Sequence, residues 1–348
     1  MLPIINTGCN MSDRSNTIFL AHGSGSKLSH ELIEKRLVPP LINPILSRLD
    51  DSAVFEYRGG RFAFTTDSYV VSPIFFPGGD IGRLAVCGTV NDLAMSGASP
   101  LYLSLSFIIE EGLTFEELEL VLDSIKRAAE EAGVSIITGD TKVVNRGSAD
   151  KLFINTSGIG VVAEGVDISG SNARVGDKII ISGAIGDHGI AVMSQREGLK
   201  FSVPIQSDCA PLNKMVAEML AVSSQIHCLR DPTRGGLATA LNEIARQSGV
   251  GIRIEEERIP IHDGVRAACE LLGFDPLYVA NEGKLVAVLA PEIAEKVLEK
   301  MRQNRYGHEA AIIGEVTDEH KGRVVMKTRL GASRIVDMLT GELLPRIC

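Results

Sequence analysis

Strand-like and helix-like segments run twice along this 348-residue chain without settling into a regular strand-helix-strand alternation. In the first half, short apolar segments predict strands at 61–66, 69–76 and 101–109, with a mostly apolar helix at 81–97 before the last of them. Thr114 is placed to cap a helix over 115–132 and Gly133 to stop it. Residues 134–138 then read as a buried strand ending at Gly139–Asp140, and 152–163 as the strand that closes this half. Gly165, Ser169, Gly170 and Gly176 mark a boundary over 165–177. The second half restarts with a strand at 178–182 and a helix of about 190–197, continues with helices at 211–222, 235–248, 263–272 and 291–304, and has strands at 250–254, 284–289, 310–315 and 323–328. Such mixing predicts an α+β chain with two sheet-containing halves rather than a doubly wound fold. The domains are expected at 18–165 and 166–329, with an extended, exposed tail over 330–348 and a disordered extension over 1–17. At 45% hydrophobic residues there is material for two cores.

Several function classes fall away. The net charge is -9, with -8 in residues 1–170 and -1 in 171–348, so nucleic acid is not expected as the main partner. Most of that acidity sits in 110–131, a solvated helix face. Tryptophan is absent and aromatics are 5%, which argues against base-stacking platforms. The cysteines at 9, 87, 209, 228, 269 and 348 form no C-x-x-C, so neither a zinc ribbon nor a disulfide framework is expected, and a reducing compartment is. No secretory signal is visible, and the longest uncharged window, 93–109, is broken by Gly97 and Pro100. A cytoplasmic protein without a membrane segment is the expectation.

Three aspartates follow apolar stretches in small-residue settings: Thr66-Asp67-Ser68, Asn91-Asp92 and Gly139-Asp140-Thr141-Lys142. Carboxylates grouped with hydroxyls and amides suit Mg²⁺, and Lys142 adds a cation able to meet phosphate; turn or capping chemistry explains each aspartate singly. The segment His22-Gly23-Ser24-Gly25-Ser26-Lys27 could wrap an anion with backbone N–H groups or be a plain loop. Arg234 in Asp231-Pro232-Thr233-Arg234-Gly235-Gly236 could clamp phosphate or sit in a tight packing turn, and His188 reads most simply as a cap or surface residue. Glu282, in Asn281-Glu282-Gly283-Lys284, could be a base with raised pKa or the partner of Lys142, Lys284 or Arg234. Cys348, last in Pro345-Arg346-Ile347-Cys348, has no C-a-a-X arrangement and reads as a swinging thiol that carries a covalent group.

Together, AHGSGSK, TDSYVVSPIFFPGGDIGRLAVCGTVNDLAMSG, GDTKVV, DKLFINTSGIG, SGAIGDHG, DPTRGG, NEGKLV and PRIC closely resemble the HypE family of hydrogenase maturation proteins from about residue 18 onward. These are carbamoyl dehydratases of the aminoimidazole ribonucleotide synthetase and selenophosphate synthetase superfamily. The resemblance implies a two-domain PurM-like architecture whose N-terminal, ATP-binding sheet domain dimerises. It implies a carbamoyltransferase partner, HypF, that places a carboxamide on Cys348, ATP-dependent dehydration to a thiocyanate, and passage of cyanide to iron on a HypC-HypD complex. By the same resemblance Asp67, Asp92 and Asp140 hold Mg²⁺-ATP and Asn91 and Thr141 contact phosphates. Gly23 and Gly25 belong to a mobile cover, and Lys142 and Glu282 form a polar pair in a central cavity. Ser26 stands where members often have glycine. A superfamily kinase or selenophosphate synthetase is the second enzyme reading, although the latter would want a cysteine within 22–27; a non-catalytic carrier is the third.

Overall fold

The computed structural model describes residues 17–199, 201, 204–339 and 346–348. The expected extension over 1–17 lies almost wholly outside the described residues. A short helix, α1 (Lys27–Leu32), continues through a wider helical turn to Leu37. Two hairpins follow, β1 (Ala53–Tyr57) with β2 (Gly60–Tyr69) and β3 (Phe75–Phe76) with β4 (Gly79–Asp80). Then come α2 (Ile81–Met95), β5 (Ala98–Glu110), α3 (Phe115–Ala132), β6 (Ser135–Val144) and β7 (Leu152–Val162). The first sheet has the order β1-β2-β7-β5-β6, with β5 and β6 parallel and the other neighbours antiparallel.

Local chemistry explains the elements. Asp80 caps α2 by accepting from Gly82 N at 2.7 Å and Arg83 N at 3.0 Å. Thr114 and Glu117 close a reciprocal capping box on α3, and Gly133 ends it in the left-handed conformation at φ 78°. The helix α2 is apolar nearly all round and is accordingly buried on every side, between the first sheet and the second half of the chain.

The second half carries β8 (Lys178–Ile181), α4 (Asp187–Glu197), α5 (Asn213–Val222), β9 (Ile226–Arg230), α6 (Gly236–Ser248), β10 (Gly251–Glu255), α7 (Asp263–Leu272), β11 (Val286–Leu289), α8 (Ala294–Gln303), β12 (Ala311–Thr317), β13 (Val324–Lys327) and β14 (Ser333–Val336). They build a sheet of order β14-β13-β10-β12-β8-β11-β9. Both faces of its centre are buried, which is why β8 and β11 read as continuous apolar runs. Ile179 and Ile181 of β8 pack with Leu237, Leu241 and Ile244 of α6, while Ile180 packs on the opposite face with α5 and α8. That second core also takes in Leu93, Ala94 and Met95 of α2 and so joins the two halves.

Three sequence expectations change. The strand at 134–138 does not stop at Gly139–Asp140; β6 runs on to Val144. Gly139 is needed for close approach, since a Cβ there would meet Leu105 O at 2.1 Å. The strand expected at 69–76 divides: β2 ends at Tyr69, and β3 begins only at Phe75. The tail is not simply extended and exposed either. Its β14 pairs antiparallel with β13 and buries Val336 fully, and Ile347 is 2% exposed.

Candidate active site

Alternation along β2 assigns the first functional side chains. Phe64, Thr66 and Ser68 point to the open face of the sheet, and Thr65, Asp67 and Tyr69 point toward α2. Burial obliges the adjacent polar residues Asn91 and Asp92 of α2 to find partners. Thr65 Oγ1 donates to Asp92 Oδ2 at 2.9 Å. Asn91 Nδ2 donates to Ala210 O at 3.0 Å and Glu282 O at 3.3 Å, while its Oδ1 accepts from Leu212 N at 2.8 Å. The Asn91 amide is thereby occupied as a bracket that ties α2 to the Glu282 loop. The expectation that it contacts phosphate gives way to this structural task.

Between the halves lies a cavity of about 480 Å³, lined by Gly23, Gly25, Asp51, Thr65, Asp67, Asp92, Asp231, Arg234, Glu282 and Cys348 among others. Gly25, at φ 69°, lies so close to the second half that a Cβ would meet Arg234 O at 2.6 Å. The glycine-rich segment is folded rather than loose: Ser26, fully buried, donates from Oγ to Ala21 O at 2.9 Å, and Lys27 N donates to Leu339 O at 2.7 Å. Arg234 reaches back to Gly23 O at 3.3 Å. The tight-turn reading of Arg234 is realised, since Gly235 and Gly236 have φ of 81° and 62°, and the side chain also lines the cavity.

The cavity is short of positive charge. Burial pushes Asp92 well above the usual carboxylate range, and Asp231, Asp67 and Asp51 add to it. Asp51 is pushed up to about 8, by burial first and against the pull of Arg230, and Asp231 to about 6 for the same reasons. Glu282, 3% exposed, is raised well above its ordinary value by burial and then by Asp231, Asp67 and Asp208, with Arg234 opposing. Its Oε1 has no hydrogen-bond partner among the described residues. The three alternative partners for Glu282 fall away as direct ion pairs: Lys284 pairs with Asp208 at 3.3 Å, and Lys142 pairs with Asp140. Burial also raises the Cys348 thiol, in opposition to Arg234.

The set of three predicted metal carboxylates is parted by the sheet. Asp67 pairs with Thr156, Thr156 with Leu105 and Leu105 with Gly139, so Asp140 is one residue out of that row and three strands away. Three strand spacings are about 14 Å, and a one-residue offset reverses the face. Asp140, Thr141 and Lys142 do not line the cavity, and within one chain Asp140 cannot share an ion with Asp67. The polar pair Lys142 and Glu282 is likewise separated. Lys142 Nζ donates to Asp140 Oδ1 at 2.7 Å on the open face, where it holds the Asp140 carboxyl below its usual range.

Asp51 and Asp231 line the cavity with Asp67 and Asp92 where Asp140 does not, and the sequence offered a signal for each: the acidic pair Asp50–Asp51 just before β1, and the acid that opens the segment noted for its arginine. Hard oxygen donors whose pKa is raised by burial first and by one another's charge second, as at Asp51, Asp92 and Asp231, fit a divalent cation, whose charge would relieve them. As they stand, no three His, Cys, Asp or Glu side chains among the described residues form a ready ligand group, so waters and phosphate oxygens must complete any coordination. His188 was missed as a site residue. It is fully buried, not a surface cap, and its Nε2 meets Ile347 O at 2.9 Å.

Comparison with known proteins places the fold that carries these residues. Residues 49–162 match the N-terminal domain, and 174–327 the C-terminal domain, of AIR synthase related protein. The carbamoyl dehydratase HypE of Bradyrhizobium diazoefficiens is 56% identical over 336 residues, covering 96% of this chain and 97% of the relative. That of Escherichia coli is 44% identical over 338 residues, covering 96% of this chain and 100% of the relative. A HypE structure in complex with ATP superposes with a TM-score of 0.81 at 52% identity, covering 95% of this chain and 100% of the other. A HypE-HypF complex gives 0.84 at 52%, covering 88% and 99%. A ThiL complex with AMPPCP and TMP, at 0.68 and 21% identity, shares the fold alone. No helix among the described residues is long and apolar enough to cross a membrane.

Proposed function

Since the chain belongs to the HypE family of carbamoyl dehydratases, within the AIR synthase related proteins, we propose that it dehydrates a carboxamide borne on its own Cys348 to a thiocyanate, using ATP. The observation that carries this reading is the position of Cys348, in one cavity with Glu282, Arg234 and Asp67. The raised thiol is a poor nucleophile in that position, which suits a site that processes a loaded sulfur. Loading itself then belongs outside the cavity, on a HypF-type carbamoyltransferase; a HypE-HypF complex is known for a relative. The resulting cyanide would go to iron on a HypC-HypD scaffold, in the cytoplasm.

The chemistry balances as follows. The carboxamide oxygen attacks the γ-phosphorus of ATP, ADP departs, and one N–H proton is given up to leave an O-phosphorylated imidate on sulfur. Loss of the second N–H proton as phosphate leaves forms the C≡N bond. Glu282 is the base: its unpartnered oxygen is buried beside the thiol cavity, and proton removal by a positioned carboxylate is worth ~10²–10⁴-fold. Arg234 lies on the same cavity wall and offsets charge on the transferring phosphoryl group. Magnesium, held by one or two of the carboxylates of Asp51, Asp67, Asp92 and Asp231 together with waters, would supply neutralisation of the phosphate oxygens.

Asp140, Thr141 and Lys142 enter in trans. The open face of the first sheet carries Phe64, Tyr102 and Ile108, all more than 40% exposed, beside the hydroxyls and amide of Ser68, Asn155 and Ser106 in the row of Asp140. A homodimer joined through that face would bring the Asp140–Lys142 pair of one chain toward the nucleotide of the other. The test is the mass of the C-terminal peptide after treatment with HypF, carbamoyl phosphate and ATP. A carboxamide adduct that loses one water only when ATP is present is expected, and none in Cys348→Ala. An adduct unchanged by ATP contradicts the dehydratase reading.

A further inference from the structure

Glu282 keeps an unpartnered oxygen although a lysine stands two residues along the chain. The reason lies in the stretch ahead of α5. Asp208, whose side chain is 3% exposed, spans Gly283: its Oδ1 accepts from Glu282 N at 3.0 Å, and its Oδ2 lies 3.3 Å from Lys284 Nζ. The two stretches press together at Gly283, where a Cβ would meet Asp208 O at 1.8 Å. Gly183, ahead of α4, gives the lysine stem its path, since a Cβ there would meet Lys284 Cε at 3.1 Å. Lys284 is itself mostly buried, so its ammonium needs a fixed counter-charge. Asp187, a second carboxylate near enough to feel Lys284, is taken up by His262 at 3.0 Å.

We propose that Asp208 is a positioning residue for the base: it takes Lys284 as its partner, keeps that ammonium off Glu282 and fixes the Glu282 main chain at the cavity wall. The proposal rests on the dehydratase reading, in which Glu282 collects protons. A carboxylate paired with an ammonium holds its charge down to lower pH and is the weaker base; an unpaired one is the stronger. The charges that act on Glu282 fit this division, since Asp231, Asp67 and Asp208 favour its protonated form and Arg234 opposes them. Asn91 completes the hold by donating to Glu282 O at 3.3 Å, so both main-chain polar atoms of residue 282 are pinned while its side chain stays open. Removing only the charge of Asp208 strands a buried ammonium, and the unpartnered oxygen of Glu282 is the acceptor left to it.

The test compares Asp208→Asn with the double variant Asp208→Asn/Lys284→Met in single-turnover dehydration by the full-length protein loaded with HypF and carbamoyl phosphate, alongside a crystal structure of Asp208→Asn. In the single variant the amide oxygen still accepts from Glu282 N. Lys284 is expected to turn to Glu282 at salt-bridge distance, and the rate to fall by about tenfold, part of the ~10²–10⁴-fold that a positioned base supplies. Taking the lysine away as well leaves no stranded charge, and the rate is expected to return most of the way to wild type. An Asp208 that serves only the fold predicts the opposite, a double variant at least as slow as the single one. A wild-type rate in Asp208→Asn, a double variant no faster than the single, or a crystal structure with Lys284 away from Glu282 overturns the proposal. Should Asp208→Asn fail to fold, the double variant decides: a rate close to wild type supports the counter-charge role, and a slower one overturns it. The crystal structure needs no activity, so wild-type protein that forms no thiocyanate, beside an Asp208→Asn structure with Lys284 on Glu282, sinks the dehydratase reading and leaves the pairing standing.

Discussion

Asp67 and Asp140 are aspartates on strands of one sheet, each preceded by small or hydroxylated residues, and the fold treats their surroundings in opposite ways. Asp67 lies on the covered face, where neighbouring carboxylates are pushed upward: Asp92 well above its range, Asp51 to about 8 and Asp231 to about 6. Asp140 lies on the open face and is lowered by the ammonium of Lys142 two residues along. The covered face is a cavity in which carboxylates outnumber the two arginines, Arg230 and Arg234. The open face carries an ion pair with no cavity of its own. The contrast teaches that residue type does not make these sites; the face of the sheet, and the chain opposite it, do.

The largest expected effect lies on the covered side. Glu282→Gln removes the base while keeping size and most packing, and single-turnover dehydration is expected to fall by ~10²–10⁴-fold with ATP affinity nearly unchanged. Because Glu282 is raised well above the usual carboxylate range, it gains its working, ionised form as pH increases. The wild-type dehydration rate is therefore expected to climb with pH through and above the carboxylate range and then level off, and Glu282→Gln to lack that limb. Lost ATP binding in the variant would reassign Glu282 to structure.

On the open side the effect is next in size. Lys142→Ala is expected to slow dehydration by about 10²-fold, as removal of one electrostatic contact to a transition state does. The melting temperature of the protein should stay within a degree or two, because a solvent-exposed ion pair adds little to stability. A large loss of stability would mean that Lys142 serves the fold. The smallest effect concerns the ion. Mg²⁺ with a non-hydrolysable ATP analogue should stabilise the wild type by about 2.7 kcal/mol at a hundredfold excess over its dissociation constant. In Asp92→Asn the metal-dependent part of that gain, read by thermal shift with and without chelator, should shrink; a gain identical to wild type would remove Asp92 from the ion site.

Much of the fold was legible because its signals are local. Thr114 and Gly133 delimit α3 at the residues expected of them, and the apolar run at 178–182 is β8, an interior strand of the second sheet. The two-half α+β reading stands as the PurM-like arrangement of its family. Illegible features depend on partners distant in sequence. Gly139–Asp140 reads as a strand end because glycine usually marks a turn, whereas this glycine makes room for a carbonyl of β5. The grouping of Asp67, Asp92 and Asp140 failed within one chain because register across β2, β7, β5 and β6 decides the face, and no window of sequence contains it. His188 looked like a cap since its partner, Ile347, is far along the chain. Asp51 became a cavity residue only once α2 and Arg230 were packed against it.

The central claim, that the cavity of one chain works with the open-face ion pair of another, is tested most directly by mixing two inactive variants. Glu282→Gln and Lys142→Ala homodimers are each expected to be severely impaired. After dissociation and reassociation at equal amounts, half of the dimers are mixed, and each of these holds one site with both residues intact. Dehydration is expected to return to roughly a quarter of the wild-type rate, as two-fold symmetry requires. A mixture no more active than its parents would place Glu282 and Lys142 at work in the same chain and contradict the account.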